Sequence, residues 1–364
     1  MKGVTTPEPE GVRRPPSHLS GPRGEAPPGA VSSSPVPVRG GRAPRAPRLE
    51  LEPLFVPLTI LVLVILLSIL TDTFLQRANL TNVLTQMAVL AIVAFGVTIV
   101  MVGGAFDLSV GSQVALHGSV GAMVMAGTGS IWLGVLAGLA AGALFGLVNG
   151  LLVTVLRINP FIVTLGTLVI GRGVALAITG SRPVSGLPED LQGFGLNTPL
   201  GLPWIVWVML ACFAVATYVL HQTPFGLHLF ATGGNREAAR LSGIRVQRVT
   251  ISSFVLSGVF AAVAGIAITG RLRTGQPTVG TFLELFAVAA VVLGGSSLYG
   301  GRGAMWRTLA GVTLIAIIQN GLNLLNISAP YQQITIGVVF IVAASSEFVR
   351  RFSRRRKRST ATTS

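Results

Sequence analysis

The chain of 364 residues is short of almost everything from which a soluble active site is built: one cysteine, four histidines, and twelve acidic residues against 27 lysines and arginines. The lone cysteine, Cys212, lies in an apolar run, so a disulfide framework and a cysteine metal cluster are both excluded. It reads as a small buried hydrophobe. The histidines, His18, His117, His221 and His228, lie far apart and lack metal-ligand spacing. His117 reads as a packed or pore-facing polar residue. No Gly-x-x-x-x-Gly-Lys-Ser/Thr loop is present, so the chain has no phosphate cradle of that kind. We therefore expect no catalytic set, no metal site and no cofactor bound by this chain. Charge itself is scarce, at 11% of residues where a soluble domain carries about 25%.

What the chain has instead is apolar length: 51% of residues are hydrophobic, and runs of about 20 such residues recur. The expected fold is an all-α polytopic membrane protein. Ten spans fit the hydropathy, at about 54–71, 83–103, 107–127, 131–155, 160–180, 201–221, 249–270, 282–298, 304–325 and 331–349. The turn at 103–107 is short enough for the second and third to form a re-entrant hairpin. The transmembrane domain would run from 53 to 349. Residues 1–52, rich in Pro, Gly, Ser and Arg and without apolar periodicity, read as a disordered cytoplasmic tail rather than a signal peptide. Residues 350–364 read as a basic cytoplasmic tail that meets anionic headgroups.

The net charge of +15 does not mark a nucleic-acid footprint, because the basic residues sit in the tails and in the loops of one side. With the N-terminus inside, the inner segments hold 22 of them: eight in the first tail, Arg157, four at 221–248, Arg302, Arg307 and seven in the last tail. The outer segments hold Arg77, Arg182, Arg271 and Arg273, while Arg172 falls within a span. This asymmetry predicts both termini in the cytoplasm.

It also places a polar, basic island at 221–248 inside, holding the run Ala231-Thr-Gly-Gly-Asn-Arg-Glu-Ala-Ala-Arg-Leu-Ser-Gly-Ile244. Asn235 can cap a helix, residues 236–241 are acceptable helix formers, and Gly243 can supply a left-handed stop. The spacing predicts roughly two turns of helix on the membrane surface, shaped to dock a soluble partner.

Acidic residues within membrane regions are expensive and become functional candidates by default; only Asp107 and Glu284 qualify. Asp107 or Ser109 could cap the third span at a helix break, and Asp107 could equally touch a solute or a moving gate. Glu284 follows the outer loop 271–281, where Arg273 or Arg271 could pair with it; that loop could also form a docking rim. Asn149 and Asn320 suit hydrogen bonds between helices, or contact with a solute. They also carry a weak internal repeat. Val148-Asn-Gly-Leu-Leu matches Gln319-Asn-Gly-Leu-Asn, and Val102-Gly-Gly matches Leu293-Gly-Gly. Copies five spans apart would be two five-helix inverted repeats.

Three blocks then resemble the permease subunits of ribose-type (monosaccharide) ABC importers, over about residues 54–348. They are Asp107-Leu-Ser-Val-Gly-Ser112; Asn149-Gly-Leu-Leu with Arg157-Ile-Asn-Pro-Phe-Ile-Val-Thr-Leu-Gly166 and Thr179-Gly-Ser-Arg-Pro-Val184; and Gly233-Gly-Asn-Arg-Glu-Ala-Ala-Arg-Leu-Ser-Gly-Ile244. Beyond the third lie Ala289-Ala-Val-Val-Leu-Gly-Gly-Ser-Ser-Leu-Tyr-Gly-Gly-Arg-Gly303 and Asn320-Gly-Leu-Asn-Leu-Leu325. Three positions depart from the family pattern: Ala105 before the Asp, Phe286 where an Asp is common, and Ile336 before Gly337.

The resemblance implies a multi-pass protein of the inner (cytoplasmic) membrane, working as a pair of permease copies, identical or not. An ATP-binding subunit would hydrolyse ATP, and an extracytoplasmic sugar-binding protein would deliver the solute. Gly233, Gly234, Asn235, Glu237, Ala238, Ala239, Arg240, Leu241 and Gly243 would form the ATPase-coupling segment, within about 222–248. Asp107, Ser109, Asn149, Asn320 and Glu284 are the pathway or gate candidates. The alternative is a secondary transporter driven by an ion gradient, which would want more buried acids or histidines than Asp107 and Glu284.

Overall fold

A computed structural model describes residues 55–191, 198–328, 330–335, 337–339, 341 and 345. Its helices are α1 (Phe55–Leu70), α2 (Arg77–Val102), α3 (Val110–Thr128), α4 (Ile131–Thr154), α5 (Pro160–Thr179) and α6 (Trp204–His221). They are followed by α7 (Pro224–Gly234), α8 (Arg236–Leu241), α9 (Val246–Leu272), α10 (Leu283–Leu293) and α11 (Met305–Leu324). The described residues form no strand, only an isolated antiparallel bridge between Val184 and Gly275. Five helices, α2, α4, α5, α6 and α9, are long and apolar enough to cross a bilayer. The chain is an all-α polytopic membrane protein. The expected tails, 1–52 and 350–364, and nearly half of the expected last span lie outside the described residues.

Small residues decide how the bundle packs. Gly134, Gly138, Gly142, Gly146 and Gly150 recur every fourth residue on α4 and are the buried face of that helix. A methyl added at Gly142 would lie 2.7 Å from Ala262 Cβ on α9, and one at Gly150 would lie 2.8 Å from Ile251 Cα. On α3, a methyl at Gly118 would meet the Gly265 carbonyl of α9 at 2.8 Å. Glycine columns thus let α9 lie backbone-to-backbone against α3 and α4, which is how helices associate where lipid supplies no hydrophobic drive. The opposite face of α4 exposes Leu133, Leu136 and Leu144, and α5 exposes Phe161, Ile162, Val169 and Ile170. These are exposed apolar faces, as lipid or a second membrane subunit would cover.

α3 begins inside the molecule, at the buried Asp107 and Ser109, and α10 begins beside its first turn. The span expected at 282–298 is helical only over the 11 residues of α10, about 16 Å, roughly half the hydrocarbon thickness. The reason is backbone chemistry that a hydropathy window does not weigh. Gly280 and Phe282 adopt φ of +72° and +63° before α10, and Gly294-Gly295, with Gly295 at +90°, ends it. Likewise α2 runs its full 26 residues before the non-helical stretch 103–109 leads into α3. The two starts meet: a methyl on Gly111, in the first turn of α3, would lie 2.5 Å from the Gly280 carbonyl and collide with the Glu284 carboxylate. Residues 105–109, ahead of α3, are buried or half-buried, and irregular backbone within a membrane protein is tolerated where protein surrounds it.

The Gly-Gly turn after α2 lies against the connection that follows the turn after α10. The Gly301 N–H donates to the Val102 carbonyl at 2.9 Å, and a methyl on Gly300 would lie 2.7 Å from Gly104 Cα. Inverted copies would face opposite ends, so this sequence match does not carry the repeat. At the other end of α2, Asn79 and Asn320 exchange two amide hydrogen bonds, of 3.0 and 2.7 Å. Replacing Asn320 with leucine is expected to cost about 0.6–1.7 kcal/mol, the range for such bonds in membranes. Equilibrium unfolding in lipid–detergent micelles measures it.

Candidate functional site

The polar island is two helices, where one short helix was expected. Thr223 caps α7, its hydroxyl accepting the Gly226 N–H at 3.4 Å, with Pro224 at the first helical position. α7 ends where Asn235 turns the chain extended, at φ −157°. The same Asn235 starts α8, its Oδ1 accepting the Glu237 and Ala238 N–H groups at 3.1 and 3.0 Å. Gly243, at φ +86°, takes the chain out of α8.

The residues of the coupling motif face different ways. Leu241 is 74% exposed. Arg240 grips Glu237 with two hydrogen bonds, Nη2 to Oε1 at 2.6 Å and Nε to Oε2 at 3.1 Å, both side chains being 65% exposed. That grip holds the Glu237 carboxyl below, and the Arg240 guanidinium above, their usual ranges. Ala239 and Gly233 point inward instead: a methyl on Gly233 would lie 2.6 Å from the Gly301 nitrogen and collide with the Val102 carbonyl, while Gly234 has open space around it. Between α8 and the α4–α5 turn lies a cleft of about 510 Å³, lined by Arg157, Asn159, Pro160, Arg236, Glu237 and Arg240 among others.

Asp107 is wholly buried at the head of α3 and is the hub of a polar network. Its Oδ1 accepts the Ser109 N–H at 3.0 Å and the Ser109 hydroxyl at 2.5 Å; its Oδ2 accepts the Ser257 hydroxyl of α9 at 2.8 Å. Gln113 Nε2 donates to Ser109 Oγ at 2.8 Å, and to Asp107 Oδ2 at the longer distance of 3.5 Å. Asn149 Nδ2 of α4 donates to Ser109 Oγ at 2.9 Å. The expectation of an N-cap needs correction. Ser109 holds the cap position but its side chain makes no capping bond, because its hydroxyl is turned to Asp107. Asp107, Ser109 and Asn149 are thus brought together, with Gln113 and Ser257 added to them.

Farther along α3, neither His117 ring nitrogen has a hydrogen-bond partner; the ring stands edge-on to Phe145 with centroids 5.7 Å apart. Asn320 sits apart from this network, on the Asn79 pair. Glu284 is half-buried, and neither Arg271 nor Arg273 pairs with it; Glu237–Arg240 is the ion pair seen among the described residues. Arg172 of α5 instead donates to the Pro277 and Val279 carbonyls, ahead of Glu284 in the chain, at 3.0 and 2.7 Å. Arg172 is distant from Glu284 in sequence, but α5 lies beside the stretch that leads into α10. Among the described residues no three His, Cys, Asp or Glu side chains gather closely enough to hold a metal ion.

Comparison with known proteins gives this geometry a setting. The chain is 43% identical over 289 residues to the ribose import permease protein RbsC of Bacillus subtilis, covering 79% of this chain and 89% of that protein. It is 44% identical over 290 residues to RbsC of Escherichia coli, covering 79% and 90%. It is 35% identical over 295 residues to the L-arabinose ABC transporter permease protein AraH of Azospirillum brasilense, covering 81% and 87%. No solved structure matches the chain. Residues 79–344, from the first turn of α2 past α11, match the model of the family described as branched-chain amino acid transport system / permease component, and the chain belongs to that family of membrane permeases.

Proposed function

We propose that this chain is the permease subunit of an ATP-driven importer that moves a monosaccharide or a similar small polyhydroxylated solute across the cytoplasmic membrane. The observation that carries this reading is the 43–44% identity, over nearly the whole transmembrane domain, to proteins named as ribose import permeases. The family description names branched-chain amino acids. Proteins named for ribose and L-arabinose match this chain at 35–44% identity over most of their own length, so we follow the sugars.

On this reading the engine is a separate ATP-binding subunit, and the chain is not itself an enzyme. A sugar-binding protein delivers the solute from outside, and two permease copies share the pathway. The chain crosses the membrane ten times with both termini and α7–α8 inside, as the positive-inside count favours. The inverted repeat is supported by Asn149 and Asn320. Asn149 lies about one helical turn from Val153, which lines the cleft beside α8, and Asn320 lies beside the start of α2, at the other end of that helix. Residues 233–243 form the surface that couples to the ATPase. Within it Glu237, Arg240 and Leu241 face outward, and the adjacent cleft accepts part of the partner. Asp107, Ser109, Asn149, Glu284 and Asn320 serve the pathway or its gate.

The test is assembly. Purified with the ATP-binding subunit of the same transport system, the chain is expected to hold that subunit through size exclusion in lipid nanodiscs. The sugar-loaded binding protein should then stimulate ATP hydrolysis several-fold. No association and no stimulation, from folded components, would contradict the proposal.

A further inference from the structure

Two routes lead inward from α7 and α8, and both end on residues 102–109. The first is short. Gly233, in the last turn of α7, lies against the Val102 carbonyl, which also accepts the Gly301 N–H at 2.9 Å. The second runs through α9, which is joined to α8 by a four-residue connection. Ser257 stands 11 residues along α9 from Val246, about 16 Å up a stiff helix, and donates to Asp107. Asp107 in turn holds Ser109 by both its N–H and its hydroxyl. One carboxylate therefore ties the start of α3 to the helix that leads out of the surface insert.

The direction of the Ser257 hydroxyl is the informative detail. A serine or threonine inside a helix usually returns its hydrogen bond to a carbonyl of its own preceding turn. The neighbouring hydroxyls on α9 do this: Thr250 donates to the Val246 carbonyl at 3.0 Å, and Ser253 to the Thr250 carbonyl at 2.7 Å. Ser257 forgoes that bond and reaches across to Asp107 at 2.8 Å. A hydrogen bond to a buried carboxylate is among the strong ones, and losing it leaves the carboxylate short of a donor.

We infer that the Ser257–Asp107 hydrogen bond is a positioning contact that carries movement of α8 and α9 to the break between α2 and α3, in parallel with the Gly233–Val102 contact. Ser257 is thus a coupling residue that touches neither solute nor ATP. The inference rests on the proposed function. When the ATPase shifts α8, α9 moves as a rod, and Asp107 moves the head of α3 with it.

The test uses the full complex, with ATPase subunit and binding protein, in proteoliposomes, and reads solute moved per ATP hydrolysed. Ser257→Ala is expected to lower that ratio about tenfold, with the amount of assembled complex unchanged. Ser257→Thr, which keeps the hydroxyl, is expected to restore it, and Ser253→Ala, which removes a hydroxyl that bonds only its own helix, to leave it alone. Should Ser257→Ala not accumulate, Ser257→Cys, close in volume but a weak donor, is expected to show the same uncoupling. A wild-type ratio in Ser257→Ala or Ser257→Cys, or an equal loss in Ser253→Ala, would overturn the inference. Absence of any ATP-driven uptake by the wild type would instead sink the proposed function.

Discussion

Replacing Gly146 with valine is expected to leave less than about a tenth of the folded protein in the membrane. A methyl group at Gly146 alone would collide with the Phe254 carbonyl oxygen and lie 2.8 Å from Val255 Cα on α9. The obstruction is backbone, so no rotamer change relieves it, and valine adds two more carbons. Either α4 and α9 separate, which opens the glycine seam at Gly142 and Gly150 as well, or the helices shift along it. Overpacking of this kind costs about 1–3 kcal/mol where side chains can give way, and more where they cannot. Gly173→Val on α5 is the control. That residue faces open space, and the same added volume there is expected to change nothing. Size exclusion of a fluorescent fusion from solubilised membranes measures both.

Charge reversal on α8 is expected to have as large an effect by the opposite route, on transport and not on folding. Glu237→Arg should reduce ATP-driven uptake to background while the amount of protein in the membrane stays at the wild-type level. Both Glu237 and Arg240 are 65% exposed, so little of the fold depends on them. What changes is the surface offered to the partner. The double variant Glu237→Arg/Arg240→Glu separates the two causes, because it restores the ion pair within α8 but presents the charges reversed. If α8 only had to stay helical, the double variant would transport. It is expected to remain inactive. Uptake assays with parallel measurement of bound ATPase subunit decide this, and normal uptake in the single variant would remove α8 from the coupling role.

The local chemistry of α8 was legible in sequence because every part of it is local. Asn235 caps its own next turn, Gly243 supplies its own left-handed exit, and Glu237 and Arg240 are three residues apart. The long apolar helices were legible for the same reason. What escaped is non-local. Ser257 lies 150 residues from Asp107, and no spacing rule joins them. Glu284 was expected to pair with the arginines nearest in sequence, whereas the arginine that bonds the stretch leading to it is Arg172 of α5. Gly233 read as part of an outward docking surface, yet its missing side chain serves a backbone contact with Val102. Hydropathy alone drew 282–298 as one span, since Leu, Ala and Val continue up to Gly294. The conformations of Gly280, Phe282 and Gly295, which break it, carry no hydropathy signal.

The most direct measurement is uptake into proteoliposomes that contain the chain with its ATP-binding subunit and sugar-loaded binding protein, with ATP held constant while ionophores collapse the proton and sodium gradients. Uptake is expected to require ATP and to continue unchanged after the collapse. Uptake that needs no ATP, or that stops when the gradients are lost, would contradict an ATP-driven permease and favour a secondary transporter.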